Sequence, residues 1–141
     1  MSERLGVADY PLAEKRPELI AGPRGKALSE ITLEGVLQGE VALEDLRITP
    51  AALRRQAEVS RAAGRPTLAE NFERAAELVG VPQAVIMRVY ELLRPGRAQS
   101  ADELRMAARM LREQHGAALM AAFVEEAADA YEARGLFRRR F

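Results

Sequence analysis

Residues 66–96 read "PTLAENFERAAELVGVPQAVIMRVYELLRPG". Pro66 and Pro82 sit where a helix begins and a missing N–H costs nothing, whereas Gly80 and Gly96 follow apolar runs, where a left-handed stop is useful. Between the first of these marks, Leu68, Phe72, Ala75, Ala76 and Val79 fall at i, i+4, i+7, i+8 and i+11, one apolar stripe of a helix. Thr67 and Glu70 have the spacing of a capping box at its start. Val85, Ile86, Val89, Leu92 and Leu93 form the stripe of the next helix, which "RPG" ends.

Outward from this pair, Pro50 and Gly64 set the same marks around an earlier run. The residues between the marks do not match, so the regular spacing describes three consecutive helices of similar length and not a repeat. Downstream, Ser100 and Glu103 are a second capping box, followed by the stripe Leu104, Ala107, Ala108 and Leu111 and a break at Gly116. Leu119, Phe123, Val124, Ala127 and Tyr131 form the last stripe, up to Gly135. Phe72 and Phe123 are the largest members of their stripes and are expected in the core.

Upstream, "TLEGVLQG" predicts a short helix with Thr32 as N-cap and Gly39 as its stop, and "LRITP" a short extended link. Pro11, Pro17 and Pro23, with Gly22 and Gly25, interrupt the first thirty residues too often for a helix or a central strand. No segment offers a strand pair. The fold class is therefore all-α, an open helical bundle with an extended N-terminal arm: residues 1–30 as a partner-binding arm and 31–141 as the helical domain. Tyr10, Pro11 and Leu12 give the arm apolar surface with no local helix to cover it, so Leu5 to Lys26 is expected to be ordered by a partner.

The totals narrow the function. Lys+Arg and Asp+Glu are both 21 in the 141 residues, so no positive field exists to hold a nucleic-acid backbone. Cysteine is absent and His115 is the single histidine, which excludes a disulfide framework, a thiolate-ligated metal and an all-histidine metal site. The opening residues are charged without an apolar core of a signal, and no run is long and apolar enough to span a membrane, so a soluble cytosolic protein is expected.

The polar residues offer little chemistry. Glu73, Arg74 and Glu77 point away from the apolar stripe or along its edges, with the two acids one turn apart. Glu125 with Glu126, and Asp102 with Glu103, are adjacent positions that diverge by about 100° on a helix and do not converge on one substrate atom. His115 suits the end of a helix, where a cation meets the last carbonyls. The glycines of "AGPRGK" and "EGVLQGE" lack the strand and the GK[ST] ending of a phosphate loop. Met106 and Met110 read as contact filler. Arg138, Arg139 and Arg140 form a basic, solvated tail, beside which Phe137 and Phe141 are harder to leave in water. No catalytic, cofactor-binding or metal-ligating residue is assigned.

"DYPLAEKRPE", "ITLEGVLQGEV", "EDLRITPAALRRQA", "NFERAAELVGVP", "YELLRP" and "AAFVEEAADAY" occur in this order from about Val7 to Arg134. In this the chain resembles the small subunit of the adenosylcobalamin-dependent glycerol and diol dehydratases. The resemblance implies large and medium subunits as partners, as a dimer of heterotrimers, with adenosylcobalamin bound by those other subunits and none by this chain. It implies a holoenzyme in which an adenosyl radical abstracts a substrate hydrogen, and hydroxyl migration with loss of water turns glycerol or propane-1,2-diol into an aldehyde. The small subunit docks on the large one and supplies no catalytic residue. Candidate contacts are Tyr10, Pro11 and Leu12 of the arm and, within the matching blocks, Arg47, Ile48, Arg94 and Pro95. Gly96 stands where an aromatic is common in that family, and Glu125 where an arginine is common. Only eight residues precede Asp9, as in the glycerol type, while the diol type has a longer extension associated with microcompartments. A free-standing helical adaptor or scaffold is the alternative.

Overall fold

The structure, a computed structural model, describes residues 3–137. The arginines 138–140 and Phe141 lie outside the described residues. By internal contacts the chain divides into two units, Met1–Val79 and Gly80–Phe141. Helices are named α1 (Leu12–Lys15), α2 (Leu33–Leu37), α3 (Pro50–Ala62) and α4 (Pro66–Leu78) in the first, and α5 (Gln83–Leu93), α6 (Ala101–His115) and α7 (Ala118–Ala133) in the second. Single 3-10 turns at Val7–Asp9, Pro17–Leu19, Leu28–Glu30 and Leu43–Leu46 complete the first unit. Among the described residues there is no strand, only an isolated bridge between Ala21 and Ala27, and the all-α class holds.

In the first unit α3 and α4 pack on each other. Thr49 caps α3 by accepting the Ala52 N–H at 3.1 Å, and Pro50 occupies its first turn. Gly64, at φ 74°, reverses the chain, and the Arg65 N–H returns to the Ser60 carbonyl at 2.9 Å. The start of α4 differs from expectation. Pro66 at its first position sets the helix one residue too early for Thr67 to be its cap, so the Thr67–Glu70 box does not form. Gly80 also lacks the left-handed backbone expected of a stop.

The N-terminal segment corrects the reading of an extended arm. Its prolines do not keep it extended, because a proline is tolerated in the first turn of a helix, and the segment becomes a series of single turns. Leu5, Leu12 and the α3 residue Val59 form one buried cluster, with Leu19 and Ile20 packed against it. The Leu5 N–H donates to Glu58 at 3.1 Å, and Arg55 donates to the Leu19 carbonyl. Residues 1–30 therefore share a unit with 31–79, and the chain does not divide at residue 30.

In the second unit α6 buries Leu104, Ala107, Ala108 and Leu111, the stripe expected of it. Ser100 caps it by accepting the Glu103 N–H at 3.4 Å, and the Glu103 carboxylate reaches back to the Gln99 N–H at 2.5 Å. On α5, Val89 is buried and Val85, Ile86, Leu92 and Leu93 are half-buried, again the expected side. On α7 the expected face is rotated. Ala121, Val124 and Ala128 are buried, of which only Val124 belongs to the expected stripe, while Leu119 is exposed and Phe123 is 39% exposed. The large residues are displaced because α6 and α7 pack closely, and small side chains on the shared face permit that approach. The same cause acts on α4, where Ala69 and Ala76 are buried, Phe72 is half-buried, and Leu68 and Val79 are exposed. The Tyr131 hydroxyl, on α7, donates to the Leu93 carbonyl at 2.5 Å, and its ring lies 6.2 Å from that of half-buried Phe137.

Candidate subunit-docking surface

Between residues 21 and 48 the usual distribution of side chains is inverted. The buried positions are Gly35, Val41 and Asp45. The leucines face outward: Leu33 is 76% exposed, Leu37 78%, Leu43 76% and Leu46 60%, with Leu28 and Ile48 also exposed. Single exposed leucines are ordinary, but such a density on one short stretch is unusual for a surface left in water.

Local geometry explains why the leucines are outside. Thr32 caps α2 by accepting the Gly35 N–H at 3.0 Å, which fixes Leu33 and Leu37 one turn apart on the same face. The inner face of α2 is Gly35, where an added Cβ would come within 2.9 Å of Val41 Cγ2. The Glu40 and Val41 N–H groups both donate to the Gly35 carbonyl, at 2.9 and 3.1 Å. A second close approach occurs at Gly22, where a Cβ would lie 2.6 Å from the Asp45 carbonyl oxygen. Backbone against backbone fills the interior and leaves the leucines no room there.

Asp45 supplies the polar centre. Its side chain is fully buried. Oδ1 accepts from Arg24 Nε at 2.7 Å, and Oδ2 accepts from Arg24 Nη2 and from the Ala42 N–H at 2.8 Å. Arg24 Nη2 also reaches the Glu40 carbonyl at 3.3 Å. The forked pair with Arg24, helped by the Ala42 N–H, holds the Asp45 carboxyl down at about 2. Beside this centre a groove of about 340 Å3 is lined by Ile20, Leu28, Ile31, Leu46 and Ile48, with Gly22 and Asp45 also on its wall.

The contacts expected from sequence are placed as follows. Arg47 and Ile48 border this groove, and both are exposed. Tyr10 is exposed and Pro11 half-buried, but Leu12 is buried in its own unit against Leu5 and Val59 and is withdrawn as a partner contact. Arg94 and Pro95 lie in the second unit, in the turn after α5, where Arg94 pairs with Glu91 at 3.1 Å. Sequence reasoning missed Leu33, Leu37, Leu43 and Leu46, and the Arg24–Asp45 pair. Their signal was a leucine-rich stretch broken by Gly35 and Gly39, too short in each piece to be a core helix.

The acids act between helices. Glu73 accepts from Arg61 at 2.7 and 3.1 Å, and Glu125 accepts from Arg112 at 2.7 and 2.9 Å. The guanidinium in each case lowers the carboxyl below its ordinary value, the reverse of what a general acid needs. Asp102 is 3.6 Å from Arg105, which also binds Asp129 and Glu132 at 2.9 Å each. Among the described residues no group of three or more His, Asp or Glu side chains could hold a metal ion, and no helix is long and apolar enough to cross a membrane.

The described residues thus combine outward leucines between residues 28 and 48 with Glu73 and Glu125 held in cross-helix pairs. Residues 5–138 match the family described as dehydratase small subunit, and the chain belongs to that family. It is 49% identical over 128 residues to the propanediol dehydratase small subunit of Citrobacter freundii, spanning 91% of this chain and 74% of the relative. The protein of the same name from Salmonella typhimurium is 48% identical over 128 residues, spanning 91% and 73%. These relatives favour the subunit over a free-standing adaptor.

Proposed function

We propose that this chain is the noncatalytic small subunit of a cytoplasmic, adenosylcobalamin-dependent diol dehydratase, and that residues 28–48 dock it on the large subunit. The observation that carries the docking face is the exposure of Leu33, Leu37, Leu43 and Leu46 on a segment whose interior is glycine, valine and an ion pair. Each leucine that a partner fully covers contributes roughly 1.5–3 kcal/mol, set against the several kcal/mol that association costs, so the leucines act together with the rest of the interface. A medium subunit completes the assembly, as a dimer of heterotrimers. The propanediol named for both relatives supports a diol as the substrate class, and the reaction in this reading turns that diol into an aldehyde.

Adenosylcobalamin would supply the radical when bound, and in this reading the other subunits hold it. No reaction step is assigned to this chain. Its part is to cover and hold the catalytic subunit.

Co-expression with the large and medium subunits tests the reading. The Leu37→Glu, Leu43→Glu double variant is expected to keep the helical circular-dichroism signal of the free chain, since both positions are exposed. It should lose co-purification with the partners and the activity that depends on them. A complex formed undiminished by this variant would sink the docking face.

A further inference from the structure

We infer that Arg24 and Asp45 are positioning residues for docking, a buried clamp that holds the leucine face in its binding shape before the partner arrives. The inference rests on the docking reading and adds how the surface is made ready.

The segment has almost no apolar interior of its own. Between residues 21 and 48 the buried side chains are Val41 and Asp45, with Gly35 contributing none. Hydrophobic burial therefore holds the loops together only weakly, and polar bonds carry a large share. The Asp45 carboxylate joins the 22–26 turn to the 42–45 turn through one side chain, by two donors from Arg24 and one N–H from Ala42. Arg24 extends the tie to the Glu40 carbonyl, next to Val41, which packs under α2. The turn that carries Arg24 is closed by its own bonds, Gly25 N–H to the Gly22 carbonyl and Gly22 N–H to the Lys26 carbonyl, both at 2.9 Å. Leu43 and Leu46 sit on the 3-10 turn that contains Asp45, and Leu33 and Leu37 on the helix resting on Val41. The Gly35 carbonyl ties α2 to Glu40 and Val41, and the ion pair fixes that same 40–45 segment against the 22–26 turn, so the clamp steadies the base on which both pairs of leucines sit.

A surface held in this way binds without first ordering itself, which removes an entropic cost from association. Loss of the clamp should leave the leucines present but misplaced. Affinity falls although no contacting atom has been removed.

The experiment measures affinity and association rate of the full-length small subunit for the co-expressed large and medium subunits. Variants are Asp45→Asn, Arg24→Gln, the double variant, and Arg24→Lys, which keeps the charge but not the fork. The expected result is a loss of affinity of about tenfold or more in each single variant, with slower association and no further loss in the double variant. Amide exchange should quicken at Val41, Ala42 and Asp45 and stay unchanged in α3 and α4. Arg24→Lys guards against general unfolding, because it leaves the Ala42 bond to Asp45 in place. Full affinity in Arg24→Lys and Asp45→Asn, while Leu37→Glu with Leu43→Glu abolishes the complex, would overturn the clamp and leave the docking face standing. Full affinity in all of these variants would overturn both.

Discussion

Glu125 on α7 receives both terminal guanidinium nitrogens of Arg112 on α6, at 2.7 and 2.9 Å. An acid that its sequence position already set apart from a catalytic pair is part of a cross-helix tie, on side chains that are about two-fifths exposed. We expect Glu125→Gln to lower the thermal midpoint slightly, by less in high salt, because an exposed pair is screened. Turnover of a fully assembled enzyme should stay within roughly tenfold for the amide variants of Glu73, Glu77, Asp102, Glu103, Glu125 and Glu126, taken singly at saturating subunit and coenzyme, since a positioned acid or base contributes about 10²–10⁴-fold. A hundredfold loss in any one would give that residue a place in the chemistry.

The packing of α6 on α7 is set by small residues. Ala108 and Ala121 are fully buried, and Leu at either position should cost about 1–3 kcal/mol by overpacking. Phe123→Ala should cost less than the roughly 3–5 kcal/mol of a core phenylalanine, because its ring is partly in solvent. Urea denaturation of the three variants settles the order.

The N-terminal segment belongs to the first unit. Leu12→Ala should destabilise by about 2–5 kcal/mol, since Leu12 is buried with Leu5 and Val59. Removal of residues 1–26 should lower the unfolding midpoint of the isolated chain, read by circular dichroism, by uncovering that cluster on α3. An unchanged midpoint would return the segment to the status of an arm.

Acid should weaken the Asp45 centre. Asp45 titrates at about 2 when folded against an ordinary 3.8, so its folded value is the lower one. The stabilisation it contributes is complete above 3.8 and is lost as pH falls through about 2. Relative to the parent, Asp45→Asn should therefore lack the part of the acid-induced loss of urea stability that falls between about pH 4 and pH 2. Parallel slopes in the two proteins would remove Asp45 from the account.

Helix positions were legible because proline, glycine and cap residues state them locally. The starts at Pro50 and Ser100 and the break at Gly116 needed no tertiary knowledge. Which face of α7 is buried was not legible, because close helix approach rewards Ala121 and Ala128 over the larger Phe123, and that distance is not written in one helix. The outward leucines were missed for a related reason. A leucine in a short helix reads as core unless one knows that Gly35 and the Gly22 backbone already occupy the inside. Arg24 and Asp45 lie 21 positions apart, and nothing in their spacing announces the bond.

The outward leucines of residues 28–48 also bear on how the chain fares while alone. Made in excess of its partners, it would carry an uncovered apolar face that attracts other copies and chaperones alike, and its soluble yield would follow the supply of the companion chains. Matched synthesis of the subunits is thus a condition imposed by the surface itself.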